Sequence, residues 1–230
     1  MEHSLLECFS FLSGLSINFA ESLVMTETKK IIPSRAVKRL TLYHYIINDE
    51  LAHGRKVVSS SRIASLLNID DSQVRKDVAL CRITGKTNVG YDALELRKSI
   101  EILLGFREPK DAVIVGAGNL GFALAKFADF KDYGINVLAL FDNDPMKVDL
   151  TVSGKTIFHI SKLPNIAKRL QVEIAFLTVP GRSAQKAADL IAAAGFKFIW
   201  NFSPVIISVP EGIMVRTENL IGNFLDFVRA

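Results

Sequence analysis

The sequence contains few of the residues on which disulfide or metal chemistry depends. Among its 230 residues there are only two cysteines, Cys8 and Cys81, which are too few for a disulfide framework. The cysteines form no CxxC pair, and the four histidines form no HxxxH pair that could bind zinc. We therefore expect no bound metal and a location in the reducing cytoplasm.

Long apolar runs are also absent. No stretch approaches the roughly 20 apolar residues that a membrane-spanning helix needs, so we expect no membrane partner. Residues 1–28 carry four acidic residues and no lysine or arginine, so they lack the basic start of a secretory signal peptide. We expect them to be a disordered extension or a start-site artefact, in which case Met25 is the true start of the protein.

Positive charge is concentrated in one part of the chain. The net charge of +4 combines −4 in residues 1–28 with +7 in residues 29–90, which hold 12 basic and 5 acidic residues. Residues 91–230, with 16 basic and 15 acidic residues, contribute +1. Because binding to a polyanion depends on local charge, residues 29–90 are expected to form a nucleic-acid-binding surface.

This basic part has the pattern of a helix-turn-helix protein. Apolar residues at three- and four-residue spacing predict a helix over 33–54, in which Ser34 is a candidate cap. Two shorter helical patterns, at 61–67 and 71–81, are joined by a tight turn at 68–70. Two short helices joined by a tight turn are typical of the DNA-binding helix-turn-helix.

A wing and a linker are expected after these helices. Gly85 and Gly90 interrupt the helical periodicity, which predicts a β-hairpin with Lys86 in its turn. The sequence thus predicts a winged-helix DNA-binding domain over 29–92, followed by a linker helix over 93–109.

The second helix of the helix-turn-helix is the expected DNA-contacting element. On a helical wheel of residues 71–81, Val74 and Val78 share one face and the polar residues lie opposite. Glutamine suits adenine in the major groove, whereas arginine and lysine suit guanine or a phosphate. The candidate DNA contacts are Arg62, Ser72, Gln73, Arg75, Lys76 and Lys86.

The rest of the chain has the pattern of an α/β domain. Apolar strands alternate with amphipathic helices over 110–216, which predicts a parallel Rossmann sheet with right-handed crossovers. Residues 217–230 are predicted to form a terminal helix that needs a partner surface, because one stripe carries Leu220, Ile221, Phe224, Leu225 and Val228.

A glycine-rich motif follows the first strand of this domain. The GxGxxG pattern consists of Gly116, Ala117, Gly118, Asn119, Leu120 and Gly121. Its glycines allow a tight turn, a close approach of pyrophosphate and close packing of helix on strand. Asp142 ends the next strand, where a carboxylate accepts hydrogen bonds from ribose hydroxyls and favours NAD over NADP. The sequence therefore predicts a site for NAD(H).

Further cofactor candidates lie at the carboxyl ends of the strands, where open α/β sheets bind ligands. No acid–base group that could assist hydride transfer stands out beside them, which favours binding over turnover. These candidates are Asn143, Lys147, Thr178, Val179, Pro180, Asn201, Ser203 and Pro204.

Several ordered motifs together resemble one family. SSxRIAxLLNI, SQVRKDV, TNVGYD, VGAGNLG, FDNDPxKV, LTVPxxxAQKAADLIxxAG and NFSPVxxxVPEGIxVRTENL are similar to segments of the Rex redox-sensing transcriptional repressors, over about residues 33–222. The resemblance implies a homodimer with exchanged C-terminal helices that binds double-stranded operator DNA. It also implies that NADH drives release from DNA, in response to the NADH/NAD⁺ ratio, and that Tyr91 lies near the nicotinamide.

The chain departs from that resemblance at three places. Tyr45 stands where the family often has an arginine, and Ile221 and Gly222 stand where acidic and aromatic residues are common. The wing has Lys86-Thr87-Asn88 instead of Thr-Arg-Gly. Two other functions are compatible with the sequence: a small NAD-dependent oxidoreductase with a basic N-terminal appendage, and a nucleotide-binding scaffold whose basic face docks a protein.

Overall fold

The computed structural model describes residues 32–87 and 89–229, which divide into two compact units at Glu108 and Pro109. We call the part that ends at Glu108 the first unit and the part that begins at Pro109 the second unit. The predicted extension over 1–28, with Cys8 and the possible start at Met25, lies outside the described residues.

The first unit is a small winged helix. Strands β1 (Val57–Val58) and β2 (Tyr91–Asp92) pair in antiparallel fashion, and a bridge between Lys86 and Gly90 closes the hairpin of the wing. The wing is therefore present, and Lys86 lies at the start of its turn: it pairs with Gly90, and its carbonyl accepts a hydrogen bond from Val89 N at 3.1 Å. The elements are α1 (Ser34–Ala52), β1 (Val57–Val58), α2 (Ser60–Leu67), α3 (Asp71–Leu80), β2 (Tyr91–Asp92) and α4 (Ala93–Leu104).

Local capping explains where three of these helices begin. The side chains of Ser59, Asp70 and Asp92 accept hydrogen bonds from first-turn N–H groups of α2, α3 and α4, at 3.1, 2.7 and 2.8 Å. The cap predicted for α1 is wrong: Pro33 and not Ser34 occupies the N-cap position, and it makes no side-chain capping bond.

The helix predicted as a linker belongs to the core of the first unit. Helix α4 packs along α1, and its Leu96 and Ile100 are fully buried together with Leu40, Tyr43 and Ile47. These apolar residues recur on one face of each helix, and burying that face stabilises the small unit.

The second unit is a doubly wound α/β domain. Its sheet has the order β5-β6-β4-β3-β7-β8-β9, and every neighbouring pair is parallel except β5 and β6. Leaving out β5, this is the Rossmann strand order, so the predicted fold is confirmed. The elements are β3 (Lys110–Val115), α5 (Asn119–Lys126), β4 (Ile135–Asp142), β5 (Thr151–Val152), β6 (Lys155–His159), α6 (Leu163–Leu170), β7 (Ile174–Leu177), α7 (Gly181–Ala193), β8 (Phe198–Asn201), β9 (Met214–Thr217) and α8 (Leu220–Phe227).

The strands β5, β6 and β9 were not predicted from the sequence, because they are short and mostly half-exposed. Strand β9 ends at Thr217 and helix α8 begins at Leu220. Between them, the buried Glu218 accepts a hydrogen bond from the indole of Trp200 at 2.8 Å. In the described part of the chain, no helix is both long and apolar enough to cross a bilayer.

The burial of β6 in the core of the second unit can be tested by replacing isoleucine with alanine at one buried and one exposed position. Ile157 in β6 is 0% exposed, whereas Ile206 in the loop after β8 is 92% exposed. We expect Ile157→Ala to lower the free energy of unfolding by about 2–5 kcal/mol, because it removes buried methyl groups and leaves a cavity. Ile206→Ala, the matched control, is expected to change it by less than about 0.5 kcal/mol. Equal effects in urea denaturation would contradict this placement of β6.

Candidate functional site

The carboxyl edge of the large sheet contains the point where the winding direction reverses. Strand β3 lies between β4 and β7, so the connections that leave these strands diverge and open a crevice. Ligands of open α/β sheets bind in this crevice. The GxGxxG motif, Asp142 and Thr178 all lie at this edge of the sheet.

Two glycines of the motif are required by close backbone contacts. Gly116 has a φ of +112°, and a Cβ there would lie 2.8 Å from the carbonyl of Thr178. A Cβ on Gly121 would lie 2.0 Å from the carbonyl oxygen of Gly116. The Thr178 hydroxyl donates to this same oxygen at 2.7 Å, which joins the loops after β3 and β7. Helix α5 is thus held directly against the end of β3.

The middle glycine of the motif faces open space. A Cβ on Gly118 would meet nothing within 4 Å, and Gly118 occupies the N-cap position of α5 without a side-chain capping bond. Backbone N–H groups at an uncapped helix start, together with the helix dipole, attract anions. The space and the donors fit a phosphate-bearing ligand.

Asp142 borders this space from the end of β4. Its Oδ2 accepts from Ala117 N at 2.7 Å, and its Oδ1 accepts from Asp144 N at 2.9 Å. Burial alone would raise the pKa of Asp142, but these backbone bonds and the nearby Lys147 lower it below its ordinary value. Asp142 is therefore ionised at neutral pH, and its remaining lone pairs can accept further hydroxyl groups.

The candidates at later strand ends serve first to hold loops together. The buried Asn201 donates to Val205 O at 2.8 Å and accepts from Ser203 N at 2.9 Å. The Ser203 hydroxyl donates to Val179 O at 2.8 Å. These bonds tie the loops after β7 and β8 to each other. Pro180, Pro204 and Asn143 are exposed near the same edge.

Tyr91 belongs to the first unit. It lies in β2, half-buried against the core of the winged helix, and a Cβ on Gly85 would lie 2.8 Å from its ring. These contacts place Tyr91 at the base of the wing. Its proximity to a nicotinamide stays a prediction.

Helix α3 has the two faces expected from its sequence. Val74 and Val78 are fully buried, and Arg75 and Lys76 are exposed. Ser72 is half-buried in the first turn, where a hydroxyl can reach a phosphate. Arg75 also pairs with Asp71 one turn earlier, so that part of its charge is compensated in the absence of a partner.

A buried carboxylate on the inner face of α3 was not anticipated from the sequence. Arg39 donates from Nε to Asp77 Oδ2 at 2.6 Å and from Nη2 to Asp77 Oδ1 at 2.8 Å. The Tyr43 hydroxyl donates to Asp77 Oδ2 at 2.8 Å. Burial and the bond to Asp77 raise the pKa of Tyr43 far above its ordinary value, so its hydroxyl stays protonated. This network fastens α3 to α1.

A second buried carboxylate lies under Arg62. The Glu50 side chain is 3% exposed and accepts hydrogen bonds from Arg55 and, at 3.2 Å, from Arg62. These arginines are about half exposed, at 48% and 50%, so their outer nitrogens face solvent. Glu50 therefore holds the candidate phosphate contact Arg62 at the surface beside the start of α2.

Thiol and metal chemistry find no support in the described part of the chain. Cys81 is its one free cysteine, and burial together with the nearby Asp77 raises the pKa of this thiol to about 12. The thiol is therefore protonated and unreactive at neutral pH. No group of three or more potential metal ligands occurs in residues 32–87 and 89–229.

A winged helix and a Rossmann sheet with an anion-binding edge, joined in one chain, define a ligand-responsive DNA-binding regulator. Comparisons with known proteins agree. A family profile described as "Putative DNA-binding protein N-terminus" matches residues 31–78, and one described as "CoA binding domain" matches residues 107–205.

Curated relatives match most of the chain. A redox-sensing transcriptional repressor Rex from Treponema denticola is 36% identical over 85% of this chain and 93% of its own length. A Rex from Porphyromonas gingivalis is 37% identical over 82% and 87%. The crystal structure of RSP with β-NAD⁺ and operator DNA is similar at a TM-score of 0.77 and 28% identity, over 87% of this chain and 92% of RSP. The chain belongs to the Rex family of redox-sensing transcriptional repressors, which are regulators and not enzymes.

The ion pairs of Glu50 predict how acid affects the first unit. The folded-state pKa of Glu50 is below its ordinary value, despite the opposing effect of burial, because Arg55 and Arg62 donate to the carboxylate. The stability that this provides is complete above the ordinary pKa and is lost as pH falls through the folded-state pKa. We therefore expect Glu50→Gln to lower the thermal midpoint of unfolding at pH 7. As the pH falls from 5 to about 3, the midpoint of this variant should decrease less than that of the unmodified chain.

The control for this experiment is Glu211→Gln, which changes an exposed glutamate. It should leave both the midpoint and its acid dependence close to those of the unmodified chain. If Glu50→Gln reproduced the unmodified pH profile, the ion pairs would contribute nothing to stability.

Proposed function

We propose that this chain represses transcription by binding operator DNA as a homodimer, and that it leaves the DNA when NADH binds at the carboxyl edge of its Rossmann sheet. The open, uncapped start of α5 at Gly118, next to an ionised Asp142, is the observation that carries the proposal. It is supported by the likeness to RSP, a Rex-family repressor with separate crystal structures containing β-NAD⁺ with operator DNA and β-NADH.

The geometry of the edge fits a dinucleotide. The N–H groups at the start of α5 would hold the pyrophosphate, and the lack of a side chain at Gly118 would let it approach. Asp142 would accept the hydroxyls of the adenosine ribose. A 2′-phosphate would instead meet this negative charge, so the site favours NAD(H) over NADP(H). The later strand ends, held by Asn201 and Ser203, would line the nicotinamide half.

The first unit would contact DNA through α3 and its surroundings. Arg75 and Lys76 lie on the exposed face of α3, and Arg62 is held at the surface by Glu50. Lys86 in the wing would add a phosphate contact. Repression of transcription places the protein with the DNA, which in bacterial relatives means the cytoplasm.

The C-terminal helix supports a homodimer. Three apolar residues of α8 and the apolar residue directly after it are exposed in the single chain, by 44% to 69% of their surface: Ile221, Phe224, Leu225 and Val228. A short amphipathic helix with such a stripe gains stability only when another surface covers it. A second copy, in exchange for its own helix, would cover it symmetrically.

Regulation requires that NADH bind the DNA-incompetent dimer more tightly than the competent one, because a ligand shifts an equilibrium only by its difference in affinity. The ring charge supplies a physical basis for discrimination. The nicotinamide ring of NAD⁺ is positive and that of NADH is neutral, so a dry apolar pocket closes more readily around NADH.

The proposed function is tested by fluorescence anisotropy on a panel of promoter duplexes at fixed salt, titrated separately with NAD⁺ and NADH. We expect specific binding that NADH releases and NAD⁺ does not. Substituting Arg75 and Lys76 together by alanine should abolish DNA binding while NADH affinity stays within about twofold, because these residues lie outside the Rossmann unit. DNA binding that ignores both nucleotides would refute redox control by this site.

Two glycine variants separate the cofactor site from the fold. Gly118→Ala places a methyl group in open space, so we expect an unchanged thermal midpoint but at least tenfold weaker NADH binding, measured by nicotinamide fluorescence. Gly121→Ala must displace the Gly116 carbonyl, so we expect a midpoint several degrees lower. Normal NADH affinity in Gly118→Ala would contradict the phosphate site at this position.

A further inference from the structure

We propose that Asp77, although buried away from the DNA-facing surface, is a positioning residue for base recognition. It holds the side-chain amide of Gln73 with Nε2 toward the protein and Oε1 toward the surface. Helix α3 then presents a hydrogen-bond acceptor beside a donor, which suits adenine. This inference rests on the proposed function, which assigns DNA contact to α3.

The contact geometry defines the position of Gln73. Its Nε2 donates to Asp77 Oδ1 at 3.0 Å, one helical turn further along α3. The residue Asp77 is 3% exposed and does not move freely, because Arg39 and Tyr43 occupy its oxygens from the side of α1. Gln73 itself is half-buried, so its inner edge is fixed and its outer edge is accessible.

The chemistry of the carboxylate decides which end of the amide faces it. An ionised carboxylate accepts hydrogen bonds and donates none, and Arg39 pairs with it as a bidentate cation. An amide oxygen turned toward Asp77 would meet another acceptor and repel it. The amide nitrogen must therefore face inward, and Oε1 must lie on the other side.

The groups that remain on Gln73 match one base better than the others. Two groups of the amide stay available: Oε1, which accepts a hydrogen bond, and the second N–H of Nε2, which donates one. They lie side by side. Adenine offers a donor at N6 and an acceptor at N7 in the major groove, whereas guanine offers two acceptors. A fixed outward oxygen would face one of the guanine acceptors, so the arrangement rejects guanine. Fixing the amide before binding also reduces the entropy that recognition costs.

The test compares base preference in a double-mutant cycle of the full-length protein: the unmodified chain, Gln73→Ala, Asp77→Asn and the double variant. A randomised duplex pool first selects the preferred site, and affinities are then measured for every single-base change in it. We expect one adenine per half-site whose replacement by guanine weakens binding tenfold or more. Gln73→Ala should reduce this discrimination to within about twofold.

Asp77→Asn keeps the shape of the side chain but can donate as well as accept, so Gln73 can turn either way. We expect the same loss of adenine preference, unchanged preference at the other positions, and an unchanged salt dependence of binding. In the Gln73→Ala background, Asp77→Asn should have no further effect on that position. Replacing the adenine by 7-deazaadenine or purine should weaken binding of the unmodified chain more than that of Asp77→Asn, in which the Gln73 amide is not fixed before binding.

Three results would overturn the proposal: an intact adenine preference in Asp77→Asn, a uniform loss of affinity at all positions, or an effect that persists in the double variant. Tyr43→Phe serves as the control, because it removes one hydrogen bond to Asp77 and keeps the contact with Gln73. It should lower the thermal midpoint and retain the preference. An unmodified chain that bound no duplex would instead refute the proposed function.

A second measurement covers the case in which Asp77→Asn does not fold. Side-chain ¹⁵N relaxation of the unmodified, DNA-free protein reports whether the Gln73 amide is ordered before binding. We expect it to be as ordered as the backbone of α3, whereas the exposed Gln171 serves as the mobile reference. A Gln73 amide as mobile as that of Gln171 would overturn the proposal.

Discussion

The second unit depends on one place where two stretches of backbone meet without a side chain between them. The carbonyl of Gly116 lies so close to Gly121 that even a methyl group would not fit, and Thr178 donates to the same carbonyl. This contact decides where α5 begins and how its first N–H groups are directed. It also places Ala117 so that its N–H reaches Asp142. The anion-binding donors and the carboxylate beside them are therefore positioned together by the packing of helix on strand.

The first unit is organised differently, around buried charge. Asp77 and Glu50 are carboxylates inside a small apolar core, and each is satisfied by arginines whose outer parts remain in solvent. Compared with apolar residues of the same volume such pairs contribute little net stability, because burying the ions costs about as much as their attraction returns, although removing one partner alone is destabilising. They do restrict geometry, since a guanidinium fork and a carboxylate fit in few orientations. In this unit the restricted side chains lie next to the surface proposed to contact DNA.

The sequence predicted those features that repeat or that have a local cause. Helical spacing located α1, α2 and α3, alternation of strand and helix predicted the parallel sheet, and GxGxxG after a strand identified the carboxyl edge. Strands β5, β6 and β9 were missed, because two to five residues are too few for a periodic pattern. Gly85 and Gly90 located the wing, and Lys86 forms the first position of its turn, where it pairs with Gly90.

The buried carboxylates could not be predicted for another reason. Asp77 follows two basic residues on a polar-looking helix, and its partners Arg39 and Tyr43 lie 38 and 34 residues earlier in the chain. Only the packing of α3 on α1 brings them together. Likewise, Asn201 and Ser203 have the polar character of ligand contacts, and their bonds to neighbouring loops become evident only in three dimensions.

The protonated thiol of Cys81 has a consequence for how a redox signal can be stored. A regulator that is oxidised at cysteine keeps its state until a reductase restores the thiol, and so it records past exposure. Cys81 cannot do this at neutral pH, because its thiolate is scarcely populated. A state held by reversible ligand occupancy is erased as soon as the ligand dissociates. A regulator that depended on such occupancy alone would follow the present condition of the cell and keep no record of the previous one.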